Sequence, residues 1–452
     1  MNLDILKKTF QIAEYFLEED KKNPVLTYKS PQDLSKDLDI NINSEGVSEN
    51  IFFESLEKIV LATPKTGSRS FFNQLFGGRN SIAISGEILA SIMNNSMYTY
   101  KVGGAQILLE KEVVSQMLRK VGYEGGDGTF APGGSMTNMI AMIAARNEKD
   151  PNIKDLGFSG KKMTLYTSIE GHYSIPKNAG MIGMGRNNVK NIASDKFGKM
   201  DINALRNQII KDKNEGSVPF MINATAGTTV LGAFDPFDEI ADIAKEFDIW
   251  FHVDGALGGS VALSKKYKKL LKGAEKSDSF SWNAHKMMCV PLTASVILFR
   301  NKFMLKRHIS EKASYLFQAD EDDYNPGLRS IQCGRRNDAL KVWSAWKFYG
   351  HKGYEKRINR LFELAQYAVS IIKKDPNLQL IQEPESVTVC FQVKGKSNQK
   401  ICDLLHKQGL AKVSYGTARG KTFVRMACVN PDLENEDIDI FFDRVRQVSN
   451  EL

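Results

Sequence analysis

The chain contains no uninterrupted apolar run of about 18 residues, so no membrane-spanning helix is expected. Its amino-terminal stretch lacks the unbroken apolar core and small-residue cleavage site of a secretion signal. Leu3, Leu6, Phe10, Ala13 and Leu17 instead recur near helical spacing with charges between them, as in an amphipathic helix. Without an export signal, a cytoplasmic setting is expected. Cysteine is scarce: Cys289, Cys333, Cys390, Cys402 and Cys428 are scattered and form no C-x-x-C pair. That argues against a disulfide framework and against a thiolate metal site, and buried free thiols are expected instead. No basic stripe with interleaved aromatics is present either. The densest basic stretch, Lys265 to Lys272, mixes lysines with apolar residues at helical spacing and reads as a solvated helix face. No nucleic-acid partner is therefore expected, although a net charge of +8 favours small anions by long-range steering. Internal repeats and low-complexity segments are absent.

What is present divides the chain. With 452 residues it is too long for one small core, and one large and one or two smaller domains are expected. Residues 1–97 read as a largely helical segment. From 98 to 331 short apolar runs of strand length (Thr164–Ser168, Phe220–Thr225, Ile249–Gly255, Ala294–Phe299) alternate with amphipathic stretches such as Phe237–Phe247. Alternation of this kind predicts an α/β domain with a mostly parallel central sheet flanked by helices. Residues 332–452 carry helical patterns over Ala339–Tyr349 and Gly353–Lys374, strands at Val387–Val393 and Thr422–Cys428, and a helix after Asn435. They read as a smaller α+β domain.

Four features carry chemistry. In APGGSMTNMIAMIAAR a Gly133–Gly134 turn and Ser135 precede an apolar helix. A helix start presents free N–H groups and a positive dipole end, which suit a phosphate; the same pattern also serves as an ordinary N-cap. In HVDGALGGS, Asp254 ends a strand, on the edge where ligands bind in an open α/β sheet. It could pair with a pyridinium nitrogen or simply cap the next loop. Lys286 lies among Ala284, His285, Met287 and Met288, an unusual setting for a surface lysine. In an apolar pocket its amine becomes a nucleophile for aldehydes. His172, just after the Thr164–Ser168 strand, could stack on a planar ligand, act as acid or base, or be structural. Together a phosphate turn, a stacking imidazole, an acid and a lysine at strand ends meet the needs of one cofactor, pyridoxal 5′-phosphate.

These features sit in ordered motifs running from about Phe71 to the carboxyl end: FFNQLFGG, NNSMYTY, PGGSMTN, HYSIPK, NATAGTTVLGAFDP, HVDGALGGS, WNAHKMM, SYLFQ, IQCGRR and FVRM. In them the chain resembles the group II pyridoxal-phosphate decarboxylases, the branch that contains glutamate decarboxylase and cysteine sulfinate decarboxylase. The resemblance implies an aspartate-aminotransferase-type (fold type I) architecture and a homodimer with active sites at the subunit interface. It implies that Lys286 forms the Schiff base with the cofactor, that His172 stacks on its ring and that Asp254 pairs with the ring nitrogen. Ala256 would pack beneath the ring, with Thr225 nearby. Gly134, Ser135, Asn283 and His285 would hold the phosphate. Gln74 and Arg425 match substrate-carboxylate ligands, and Tyr315 matches a tyrosine credited with protonating the reacting carbon in the partner's site.

Ser96 and Tyr98 match the Ser-x-Tyr pattern of cysteine sulfinate and aspartate enzymes; glutamate enzymes have Asn-x-Phe there. A phenol shortens the pocket and adds a donor, favouring a shorter acidic side chain. The expected reaction is thus decarboxylation of cysteine sulfinate or aspartate, giving hypotaurine or β-alanine. The alternatives are glutamate giving γ-aminobutyrate, or another amino acid in a rebuilt pocket. Several residues depart from the family pattern: Leu257 replaces a tryptophan, Ala284 a proline and Thr293 a glutamine. Lys101 with Gly103–Gly104 and the stretch Tyr324–Ser330 differ as well.

Overall fold

The apolar runs in the middle of the chain assemble into one seven-stranded sheet. The computed structural model of the protein describes residues 2–22, 25–158, 160–311 and 322–452. They form two units, one of Arg79–Ala365 with Gln382–Thr388, the other of Met1–Gly78, Gln366–Ile381 and Val389–Leu452. In the larger unit the strands are β1 (Asp127–Ala131), β2 (Met163–Ser168), β3 (Val189–Ile192), β4 (Val218–Thr225), β5 (Trp250–Gly255), β6 (Ser279–Asn283) and β7 (Ser295–Phe299). Their order is β1-β7-β6-β5-β4-β2-β3. Pairs β6–β5, β5–β4, β4–β2 and β2–β3 are parallel, whereas β7 runs antiparallel to both β1 and β6. The expected mostly parallel sheet flanked by helices is therefore what forms.

Strands buried on both faces read as continuous apolar runs, which made β2, β4, β5 and β7 visible in the sequence. The runs DGTFA (β1) and SFSWN (β6) carry no such signal, yet every residue of β6 is buried. Ser279 and Ser281 tolerate burial because each hydrogen-bonds a neighbouring side chain. The helix Phe237–Phe247 ends where periodicity predicted. Phe237, Ile240, Ala241, Ile243 and Ala244 are buried, Asp238 and Glu239 occupy its first turn, and Lys245 its last, each charge matching the helix dipole. The helix Gly134–Lys149 packs on β4, β6 and β7, its alanines and Ile140 joining Leu165, Phe220, Ile297 and Phe299 in the core.

The smaller unit holds a four-stranded sheet of β8 (Leu378–Leu380), β9 (Thr388–Val393), β10 (Ser414–Ala418) and β11 (Lys421–Ala427), in the order β10-β11-β9-β8. Arg419 (φ 53°) and Gly420 (φ 72°) join β10 to β11. A two-residue hairpin loop with both residues at positive φ matches the right-handed strand twist. The helix Asn435–Asn450 starts with a capping box between Glu434 and Asp437 and places Phe442 against Phe391, ring centroids 5.3 Å apart. The segment Ala339–Lys374, expected as two helices, is helical throughout except at Gly350, whose φ of 64° and ψ of −176° mark the break. Four cysteines are buried as expected, but Cys333 is exposed. No helix among the described residues is long and apolar enough to cross a membrane.

Candidate active site

Three parallel neighbours deliver side chains to one edge of the larger sheet. Thr225 ends β4 directly opposite Asp254 on β5, and Asn283 ends β6 beside them. This is the carboxyl edge of the strands, where an open α/β sheet leaves a crevice. There Gly134, Ser135, His172, Thr225, Asp254, Ala256, Asn283 and Lys286 line a single cavity of about 170 Å³. Asn138, Gly227, Thr229 and Leu257 complete its walls.

Each side chain is held by its surroundings. Asp254, buried, accepts hydrogen bonds from Asn138 Nδ2 (2.7 Å) and from the Ala256 N–H (3.1 Å). That second bond turns the chain after β5 and sets Ala256 against the carboxylate. His172 is half-buried and receives the Ser174 N–H on Nδ1 at 3.2 Å, with Ser174 Oγ at 2.8 Å from the same nitrogen. Burial pulls its pKa below the ordinary histidine value, Asp254 pulls it up, and Lys286 pulls it down again. Lys286 is half-buried between the buried residues Ala284, His285, Met287 and Met288, in the connection from β6 to β7. His285 does not line the cavity. Its Nδ1 accepts the Ala294 N–H at 3.0 Å, and burial, helped by Lys286, lowers its pKa to about 4.

The donor set fits a phosphorylated pyridine aldehyde. The helix Gly134–Lys149 opens at the cavity with no side chain capping it, so its first N–H groups face an acceptor from outside the helix. A Cβ at Gly134 would come within 2.7 Å of Asn283 Nδ2, so the backbone approaches closely only because it is glycine. Thr225 Oγ1 and Asn283 Oδ1 are buried without a hydrogen-bond partner among the described residues, the mark of polar groups that a bound molecule would satisfy.

The remaining expected residues fall elsewhere. Gln74 and Arg425 belong to the smaller unit: Arg425 on β11 is buried and donates through Nη1 to the Asn73 carbonyl and Ser414 Oγ, each at 3.0 Å, while Gln74 is exposed. Ser96 and Tyr98 are half-buried in the larger unit and are not among the residues lining the cavity. Tyr315 lies outside the described residues. Of the departures from the family pattern, Leu257 lines the cavity, while Lys101 is exposed and Thr293 half-buried. Sequence reading passed over Asn138, although the signal was there. It follows Gly134 by one helical turn in the same motif and so shares its face.

A family model described as the pyridoxal-dependent decarboxylase conserved domain matches residues 31–394. The cysteine sulfinic acid decarboxylase of Mus musculus is 39% identical over 453 residues, covering 95% of this chain and 92% of that protein. The acidic amino acid decarboxylase GADL1 of the same organism is 38% identical, covering 96% of this chain and 83% of that protein. A crystal structure of mouse CSAD superposes with a TM-score of 0.96 at 36% identity, over 99% of this chain and 98% of that one. With its cavity built from the motif residues, the chain belongs to the pyridoxal-dependent decarboxylase family.

Proposed function

We propose that this protein decarboxylates a small acidic L-amino acid, with cysteine sulfinate or aspartate as substrate and hypotaurine or β-alanine as product. The observation that carries the reading is the convergence of Lys286, Asp254, His172 and a helix amino terminus on one cavity. The similarity to cysteine sulfinic and acidic amino acid decarboxylases supports the substrate class. When bound, pyridoxal phosphate supplies an electron sink for the pair left at the substrate's Cα as carbon dioxide departs.

The residues act around that chemistry. The N–H groups opening the helix at Gly134 and Ser135, with the Asn283 amide, would hold the phosphate, and His285 is a further phosphate ligand on the strength of its motif alone. Asp254, kept in place by Asn138, would pair with the cofactor's ring nitrogen. Lys286, in the cavity wall, would hold the cofactor through its Nζ. His172, with Ala256 and Thr225 in the same cavity, would pack against the cofactor ring, and its Nε2 would carry a proton towards the substrate's Cα. Tyr315 is a second donor on the strength of its motif, as Gln74 and Arg425 are carboxylate ligands on the strength of theirs. The reading includes a homodimer working in the cytoplasm.

The test is carbon dioxide release and amine product, read by mass spectrometry with cysteine sulfinate, aspartate, glutamate and cysteate supplied separately. The shorter acids are expected to be preferred, and Lys286→Ala is expected to abolish turnover and the yellow colour of the bound cofactor. Activity on none of the four overturns the acidic-substrate reading. Leu257 in the cavity wall, where the family has tryptophan, favours the second reading in that event, an amino acid of different shape.

A further inference from the structure

A hydrogen-bond chain runs beneath the cavity, and all its members point one way. Trp250 Nε1 can only donate, and it donates to Ser279 Oγ at 2.8 Å. The Ser279 hydroxyl is then free to donate to His252 Nδ1, also at 2.8 Å. With Nδ1 an acceptor, His252 carries its proton on Nε2, which faces Asn138 Oδ1 at 3.2 Å. Ser281 Oγ donates to the same amide oxygen at 2.9 Å. Two donors on Oδ1 fix the amide's orientation, so Nδ2 is the end that meets Asp254 Oδ2 at 2.7 Å and Ser174 Oγ at 3.2 Å. Ser174, having accepted from Asn138, donates its own proton to His172 Nδ1 at 2.8 Å, and its backbone N–H points at that nitrogen too.

Asn138, Ser174, His252, Ser279 and Ser281 are all buried to within 1% of full occlusion, so water does not compete for these bonds. Burial lowers the pKa of both histidines, that of His252 to about 4, with Asp254 opposing in each case and Lys286 reinforcing at His172. Both rings are therefore neutral near pH 7, and the bonds decide which nitrogen holds the proton.

We propose that Asn138 is a positioning residue that acts on two groups together: it fixes the Asp254 carboxyl group through Nδ2 and, through Ser174, keeps the His172 proton on Nε2. In that state His172 presents an N–H donor on Nε2 and no free ring acceptor. The roles of Asp254 and His172 rest on the function proposed above; the placement of the His172 proton does not.

The experiment uses the full chain labelled with [15N]histidine, with and without pyridoxal 5′-phosphate. Two-bond proton–nitrogen correlations report the tautomer of each of the six histidines, and His172→Asn assigns the relevant signal. Wild type is expected to show His172 as the Nε2–H form in both states. Ser174→Ala removes the hydroxyl but keeps the backbone N–H on Nδ1, so it should shift that signal only part of the way towards a tautomer mixture. Asn138→Ala should change the signal and weaken cofactor binding by about 10–100-fold, as loss of such outer partners commonly does. Asn138→Asp, which sets a carboxylate against Asp254, should weaken binding at least as much. A wild-type His172 protonated on Nδ1, or an Asn138→Ala protein with unchanged signal and affinity, overturns the proposal. Should Asn138 variants fail to fold, the wild-type tautomer and Ser174→Ala still decide it. A wild-type protein that binds no cofactor would sink the proposed function while leaving the tautomer measured.

Discussion

A phosphate is bound by atoms that must come within hydrogen-bond distance of it, and at Gly134 that depends on the absence of a single carbon. The Cβ of an alanine would sit 2.7 Å from Asn283 Nδ2, well inside contact distance. Asn283 is buried at the end of β6 and has little room to withdraw. Gly134→Ala is therefore expected to push the amide out of the cavity and lower affinity for pyridoxal phosphate roughly tenfold, a loss of about 1.4 kcal/mol. Titration of the apoprotein by fluorescence measures it. The apoprotein's own thermal midpoint should change little, because the clash is with one side chain. The glycine and Lys286 were both legible from their motifs. Asn283 was legible only through the family likeness, since nothing in the string SFSWN marks its last residue as a ligand.

At the scale of elements, the segment from Asn325 to Arg335 acts as a brace for Ser96–Tyr100. The Met97 N–H donates to the Arg335 carbonyl at 2.7 Å, and the Arg335 guanidinium returns a bond to the Met97 carbonyl at 3.0 Å. Gly327 N–H donates to the Tyr98 carbonyl, Tyr100 N–H donates to Asn325 Oδ1, and the Tyr98 ring lies where a Gly327 Cβ would be. Arg335 is itself pinned by Glu110, with Nη1 2.8 and 2.9 Å from the two carboxylate oxygens, both side chains buried. Burial drives the Glu110 pKa up and Arg335 opposes it. Removing the arginine strands a buried carboxylate, so Arg335→Ala should cost about 3–5 kcal/mol in unfolding free energy by denaturant titration. Pairing it with Glu110→Leu should recover much of that loss. The motif IQCGRR announced a functional element, but that its arginine braces Met97 depends on folding, because more than two hundred residues separate the two in the chain.

For the whole molecule, neutral buried histidines make stability depend on pH. His252 and His285 have native pKa values near 4, lowered in both cases mainly by burial, against about 6.5 when unfolded. The unfolded chain takes up protons first as pH falls. The stability these groups contribute is present above about 6.5 and is lost as pH drops towards 4. Asp235, fully buried and raised to about 7, has the opposite sign. The histidine contribution is therefore isolated by comparison with a variant. Between pH 6.5 and 4, wild type should lose on the order of 3 kcal/mol relative to His252→Gln, measured by denaturant unfolding at each pH. A parallel pH dependence in the two proteins would place the proton uptake elsewhere.

Period and punctuation in the sequence determined the strands buried on both faces, the helix Phe237–Phe247 and the lysine, aspartate and histidine that line the cavity. Each of those signals is local: an apolar run, a helical repeat, or a reactive residue beside a glycine turn. Folding decided what no local pattern encodes. It buried the polar strand β6, whose serines gain their partners from β5 and from the helix beginning at Gly134. It split the chain into units that draw on distant segments, since contacts and not sequence order define a core. It also joined Trp250, His252, Asn138 and His172 in one directed chain, because a hydrogen bond needs its donor and acceptor within about 3 Å, and only the sheet brings them there.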